Sequence, residues 1–302
     1  NYAFCTNIQS YIDAAIDSKE WGILRSIYDY KQLHENLFHA CANGNVELVQ
    51  QLLQDPHISV MEGKNRCLRA AILNDHINIV EILLNDGRTL LDTQSRILKA
   101  LIEFNRPKIM TLILPRLEPP YNYNWTIIKA AEYGRYELLD LLLKDPRVNQ
   151  AYYINAAFLK AVWRNHTSIV ERLLQSPLVD PSLYTIISSG ELNHISSVRL
   201  SHSPLEIAAA KGYGKILDLL LSDPRVNPAD RNNEALYLAS CNNQLDIVKK
   251  LLQNDAVLTK GSLTHALQMT RNEEIKQLLR EAKRYRKKIR WERRLNIVKN
   301  AF

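Results

Sequence analysis

Apolar residues recur along the chain in one fixed phrase and not in strand-like alternation. A large apolar residue stands three positions before a small one; an apolar pair follows the small residue at eight and nine positions, and a second pair at twelve and thirteen. In the clearest instance Leu205 precedes Ala208, Gly212 separates two halves, Ile216-Leu217 and Leu220-Leu221 form the second half, and Asp223-Pro224 closes it. The phrase returns as Leu37, Ala40, Gly44, Leu48-Val49, Leu52-Leu53 and Asp55-Pro56. It returns again as Ile127, Ala130, Gly134, Leu138-Leu139, Leu142-Leu143 and Asp145-Pro146. Further anchors, as we call the small position, fall at Ala71, Leu101, Ala161, Ala239 and Ala266, with a weak leading unit at Ala15 followed by Ile23-Leu24 and Ile27. Successive anchors are 25, 31, 30, 29, 31, 47, 31 and 27 residues apart, which makes nine units.

Apolar residues three and four apart mark one buried stripe on a helix, so each unit predicts two short antiparallel helices. The anchor is small so that the helices approach closely. Gly or Asn at the turn tolerates positive φ, and Asp-Pro stops the second helix because Pro cannot continue it. One unit cannot bury its stripes alone, but stacked units bury them on each other, which predicts an all-α helical-repeat solenoid. The expected organisation is an N-terminal capping unit over 1–34, repeats over 35–260, and a last repeat with a basic helix over 261–302. The 47-residue interval carries about 16 extra residues, placed at 184–203, a Ser-rich stretch holding Glu191, His194 and His202. A patternless insertion of that length is usually functional or mobile.

The segment from Ser203 to Gly212, followed by Lys215 to Leu221, resembles the T-P-L-H-x-A-A-x-x-G and I-V-x-L-L-L blocks of the ankyrin-repeat family. The resemblance extends over about Tyr11 to Leu279, although the helix-opening Pro survives only at Pro204 and intervals near 30 imply short, irregular fingers. It implies an interaction scaffold that grips a partner protein in a concave groove, acts as a monomer, and is not an enzyme. In that family the residues two and three past the anchor face the groove. Here they include Glu103, Phe104, Glu132, Tyr133, Trp163 and Arg164, with Tyr123 and Trp125 extending the patch from the finger side. Aromatics and Arg dominate binding hot spots, but these rings could equally pack on neighbouring repeats. The Asp-Pro-Arg-Val-Asn variant at Asp145 to Asn149 and Asp223 to Asn227 resembles repeats of amoebae and of the large viruses and intracellular bacteria living in them. That implies a host-targeting effector acting in the host cytosol.

Charge changes the picture at one end only. From Arg271 to Phe302 twelve Lys or Arg face four Glu, so this segment accounts for the whole net charge of +7 and leaves the rest at about −1. Lys283, Arg284, Arg286, Lys287, Lys288, Arg290, Arg293 and Arg294 sit on an unbroken helical continuation of the last repeat. They are candidates for contact with an anionic membrane or nucleic acid, or are simply the polar cap that a terminal repeat needs. Four scattered cysteines, Cys5, Cys41, Cys67 and Cys241, predict reduced thiols in a cytoplasmic setting. No apolar run approaches membrane-spanning length. The chain opens on Asn1 and is read as a piece of a longer protein, so a lack of leader features there says little.

Catalytic constellations are sparse. Lys211 to Lys215 lacks the first Gly and the final Ser or Thr of a phosphate loop. Glu191, His194 and His202 fit no closed zinc spacing. His39 beside Cys41 surrounds a repeat anchor, where Cys behaves as a small core residue. No cofactor and no metal are expected. The alternatives to a scaffold are the targeting half of a larger enzyme, or attachment to membrane or nucleic acid through the basic helix.

Overall fold

A computed structural model describes residues 21–56, 58–60, 62–89, 91, 96–117, 123–148, 150–184 and 202–300. The described residues form α-helices, one short 3₁₀ turn at Leu114–Arg116 and no strand. The helices are α1 (Trp21–Asn43), α2 (Val46–Leu53), α3 (Glu62–Leu73), α4 (Ile77–Asn85), α5 (Arg96–Glu103) and α6 (Pro107–Ile113). After these come α7 (Tyr123–Glu132), α8 (Tyr136–Lys144), α9 (Ala151–Trp163), α10 (Thr167–Leu174), α11 (Pro204–Lys211) and α12 (Gly214–Ser222). The chain ends with α13 (Asp230–Cys241), α14 (Leu245–Leu252), α15 (Asp255–Thr259), α16 (Thr264–Met269) and α17 (Glu273–Asn300). The chain divides into two compact units, one comprising residues 1–126 with 141–147, the other 127–140 with 148–302.

Each unit is built from the helix pairs that the apolar phrase predicts, in an all-α, ankyrin-type repeat arrangement. In the first, α1 packs on α2 and α3, and α3 on α4 and α5; in the second, α9 packs on α10 and α11, α11 on α12 and α13, and α13 on α14 and α16. First helices thus stack on first helices, and the stripes become the core. Leu37, Leu68, Leu98, Ile127, Phe158, Leu205, Leu236 and Leu263, all three residues before an anchor, are at most 3% exposed.

The turn position, four residues past the anchor, has positive φ in seven units: Gly44, Asp75, Asn105, Gly134, Asn165, Gly212 and Asn243. Left-handed backbone costs an ordinary L-residue about 1–2 kcal/mol, which explains why Gly and Asn dominate there. At Gly134 a Cβ would in addition stand 2.7 Å from His166 Cε1. Gly134→Ala is therefore expected to lower stability by about 1–2 kcal/mol, read as a lower urea midpoint at unchanged m-value.

His166 belongs to a ladder that spans the repeats. In five repeats the residue five past the anchor donates to the carbonyl two past the preceding anchor: His76 Nε2 to Ala42 O (3.0 Å), Arg106 Nη2 to Leu73 O (2.8 Å), His166 Nε2 to Glu132 O (2.9 Å), Tyr213 Oη to Trp163 O (3.4 Å) and Gln244 Nε2 to Ala210 O (3.5 Å). These carbonyls lie at helix C-termini, where no intrahelical donor reaches them. The Tyr213 rung shows that the Ala208 unit stacks directly on the Ala161 unit despite the 47-residue interval.

A second ladder is made by arginine. In Asp86-Gly87-Arg88, Asp145-Pro146-Arg147 and Asp223-Pro224-Arg225, the guanidinium Nε bonds the Asp two residues earlier at 2.7, 2.8 and 2.9 Å. The remaining nitrogens cross to the preceding unit: Arg88 to the carbonyls of Leu53 and Asp55, Arg147 to those of Leu114 and Leu117, Arg225 to those of Leu174 and Val179. Asp-Pro-Arg is thus a helix stop that also caps its neighbour.

Three features depart from the simple phrase. The apolar spacing implies a break between Ile27 and Leu37, yet α1 runs through it, because Ser26 to Leu33 contains no Gly, Pro or Asn. The boundary drawn at 34/35 therefore falls within α1. The opening of α13 holds three successive left-handed residues, Arg231, Asn232 and Asn233, whose bend lets Asn233 Nδ2 reach Val257 O at 2.9 Å. The last unit lacks the positive-φ turn and passes through Thr270 into α17. The leading anchor Ala15 lies outside the described residues.

Candidate partner-binding face

The residues predicted to face the groove divide between the units. In the first unit Glu103 ends α5 beside Lys99, at 3.7 Å, and Phe104 follows it with 47% of its surface open. Trp125 is also exposed, and Tyr123 begins α7. In the second unit Glu132, Tyr133, Trp163 and Arg164 come together from two successive repeats, at the C-terminal ends of α7 and α9.

Glu132 organises this group. Its Oε2 accepts from Lys129 Nζ at 2.7 Å and its Oε1 from Arg164 Nη2 at 3.0 Å, while its main-chain carbonyl takes the His166 rung. Burial pushes the Glu132 carboxyl up, but the hydrogen bonds from Lys129 and Arg164 and the nearby charge of Lys160 outweigh it, so it stays ionised below the ordinary range. Lys129 Nζ also lies 5.8 Å from the centre of the Tyr133 ring, which remains 45% exposed. The Trp163 ring is half-buried and carries Lys211 Nζ over it at 4.1 Å. Lys211 stands three past the next anchor, so the face continues into a third repeat. Composition alone did not suggest this cation–π contact; the signal was a Trp and a Lys at neighbouring repeat positions.

Other candidates resolve differently. His39 is largely exposed and lies 4.0 Å from Glu35, whereas Cys41 is fully buried and interacts with Cys67, so the two do not form a nucleophilic pair. Gly212 closes α11 and Gly214 opens α12, as a repeat turn requires. Glu191 and His194 lie outside the described residues; His202 is 3.2 Å from the buried Glu206 carboxylate, which also receives Arg231 at 3.3 Å. No group of His, Cys, Asp or Glu among the described residues has a metal-holding arrangement. No helix there is long and apolar enough to cross a membrane.

In the basic segment Arg286 donates to the carbonyls of Val257 and Leu258 at the end of α15, so its guanidinium fastens α17 to the last repeat. Arg284, Lys287 and Lys288 are exposed, Lys283 is half-buried, and Tyr285 and Trp291 are exposed beside them. The side chains of Arg290, Arg293 and Arg294 lie outside those described.

Stacked helix pairs joined by polar, left-handed turns define a protein of the helical-repeat class. The family model for ankyrin repeats (3 copies) matches residues 158–261, and those three copies contain the anchors Ala161, Ala208 and Ala239. Over that stretch the chain is an ankyrin-repeat array, a family that generally mediates protein–protein interaction and is typically non-catalytic. No curated protein matches the chain.

Proposed function

We propose that this protein is a scaffold that holds a segment of another protein against the first-helix face around Tyr133, Trp163 and Arg164. The observation that carries the reading is that an exposed Tyr133 and a half-buried Trp163 end the first helices of successive repeats while their polar surroundings are held by ion pairs. Glu132 clamps Arg164 and Lys129 in place, and Lys211 orients Trp163. Side chains already ordered lose little freedom on binding, which favours affinity. Phe104, with Glu103, offers the same chemistry in the first unit. A host-targeting role, or the targeting half of an enzyme, would use the same contact and differ only in what is bound.

Trp163→Ala and Tyr133→Ala are each expected to weaken capture of the partner by about thirtyfold, since truncating such an anchor often costs about 2 kcal/mol, and the double variant by more than either. Affinity capture with mass spectrometry, comparing wild type and the double variant, identifies the partner by its loss. Circular dichroism should show nearly unchanged helix content and melting temperature; if helix is lost together with binding, the rings serve packing instead. Exposed Arg284, Lys287 and Lys288 favour a second reading, contact with an anionic surface, which high salt should abolish and a chain ending at Lys283 should lack.

A further inference from the structure

The face around Trp163 carries a charge pattern that narrows the chemistry of its occupant. In the second unit the positions one before, two after and three after each anchor are Lys129, Glu132 and Tyr133; Lys160, Trp163 and Arg164; Ile207, Ala210 and Lys211; Leu238, Cys241 and Asn242; and His265, Gln268 and Met269. Four of these are Lys or Arg and one is Glu, and all five charges belong to the first three adjacent repeats. Apart from the C-terminal helix the chain is close to neutral, so this concentration is local and does not reflect the overall composition.

The single carboxylate is also the least available. The Glu132 side chain is 10% exposed and already receives Lys129 and Arg164, while Arg164 is 54% exposed and Lys211 is exposed beyond the Trp163 ring. A ligand approaching this face therefore meets cations on its outer side and Glu132 beneath them. Two cations sharing one carboxylate leave a net positive potential, which attracts and orients an anionic segment.

We propose that the occupant is an acidic peptide segment, in which Asp or Glu side chains pair with Lys211 and Arg164 and an adjacent apolar residue packs between Tyr133 and Trp163. This deepens the scaffold reading and rests on it. A protein segment fits better than a nucleic acid because the Lys211 ammonium already occupies one face of the half-buried Trp163 ring, which reduces the flat platform on which a base would stack.

The test is selection of a random-sequence peptide library displayed on phage against the whole chain, followed by synthesis of the enriched peptides and measurement by fluorescence polarisation. Enriched peptides are expected to carry Asp or Glu beside Phe, Trp or Leu. Lys211→Glu should weaken the acidic peptides by about tenfold, Lys211→Met should weaken them less, and raised salt should weaken binding to wild type. Circular dichroism of both variants checks that the fold persists. Peptides that require Trp163 but show no acidic bias overturn the charge proposal and leave the scaffold reading standing. Acidic peptides insensitive to Lys211 and Trp163 but lost in a chain ending at Lys283 assign the recognition to α17 and overturn it. Failure of any peptide to depend on Trp163 removes both readings, and tighter binding of labelled oligothymidylate than of any selected peptide, sensitive to Lys211, assigns the face to nucleic acid.

Discussion

Phe158→Ala should remove about 3–5 kcal/mol of stability, because it deletes a fully buried aromatic ring from a close-packed site and leaves a cavity. Phe158 occupies the position that is Leu or Ile in the other units, so Phe158→Leu restores the family-like side chain and should cost less than about 1.5 kcal/mol. In a stacked array each repeat contacts only its neighbours, so the damage should be local. Hydrogen exchange is the measurement: amides of α9, α10 and α11 should lose protection in Phe158→Ala while those of α3 and α4 keep theirs. Uniform loss of protection along the chain would mean that the helix pairs unfold as one cooperative body and that the nearest-neighbour account is wrong for this protein.

The repeat was legible because burial forces period. A residue three before an anchor must be apolar wherever a first helix stacks on another, so Leu37 and Leu236, far apart in sequence, announce the same contact. Turn residues were legible for a similar reason, since positive φ restricts the choice to Gly, Asn and Asp. The ladders were not, because their chemistry spans units. Arg147 looks like a surface cation until its targets, Leu114 O and Leu117 O, are placed by a fold that brings the preceding repeat against it. From the sequence alone Asp-Pro signals a stop, and the only sign that the Arg after it caps a neighbour is its recurrence at Arg225 and, behind a Gly, at Arg88. The candidate face was legible as a list of exposed rings but not as a set of clamps: nothing in the spacing of Glu132 says that one carboxylate serves both Lys129 and Arg164. Arg286 makes the reverse point, since a charge run hid one residue that is spent on two carbonyls.

The arginine ladder predicts a measurable acid sensitivity. Arg147→Ala strips the donors from two helix-end carbonyls and leaves the nearly buried Asp145 without its partner, which together should cost about 2–3 kcal/mol at neutral pH. Arg147→Lys keeps the charge but cannot fork between a carboxylate and two carbonyls, so it should recover less than half of that loss. The hydrogen bond from the Arg147 side chain holds the Asp145 carboxyl below the usual carboxylate range, against the opposing effect of burial and with help from the Arg147 N–H; Asp86 and Asp223 are held low by Arg88 and Arg225 in the same way. A carboxyl whose folded pKa is depressed contributes stability that is fully present above its unfolded value, near 3.9, and lost as pH falls through the folded value. The gap between wild type and Arg147→Ala, measured by urea unfolding, should therefore stay constant from about pH 7 to pH 5 and shrink below about pH 4. Three equivalent pairs titrating together make the wild-type decline steeper than one site would. A gap that persists unchanged at low pH would show that Arg147 acts through the carbonyls of Leu114 and Leu117 alone, and that its aspartate merely orients it.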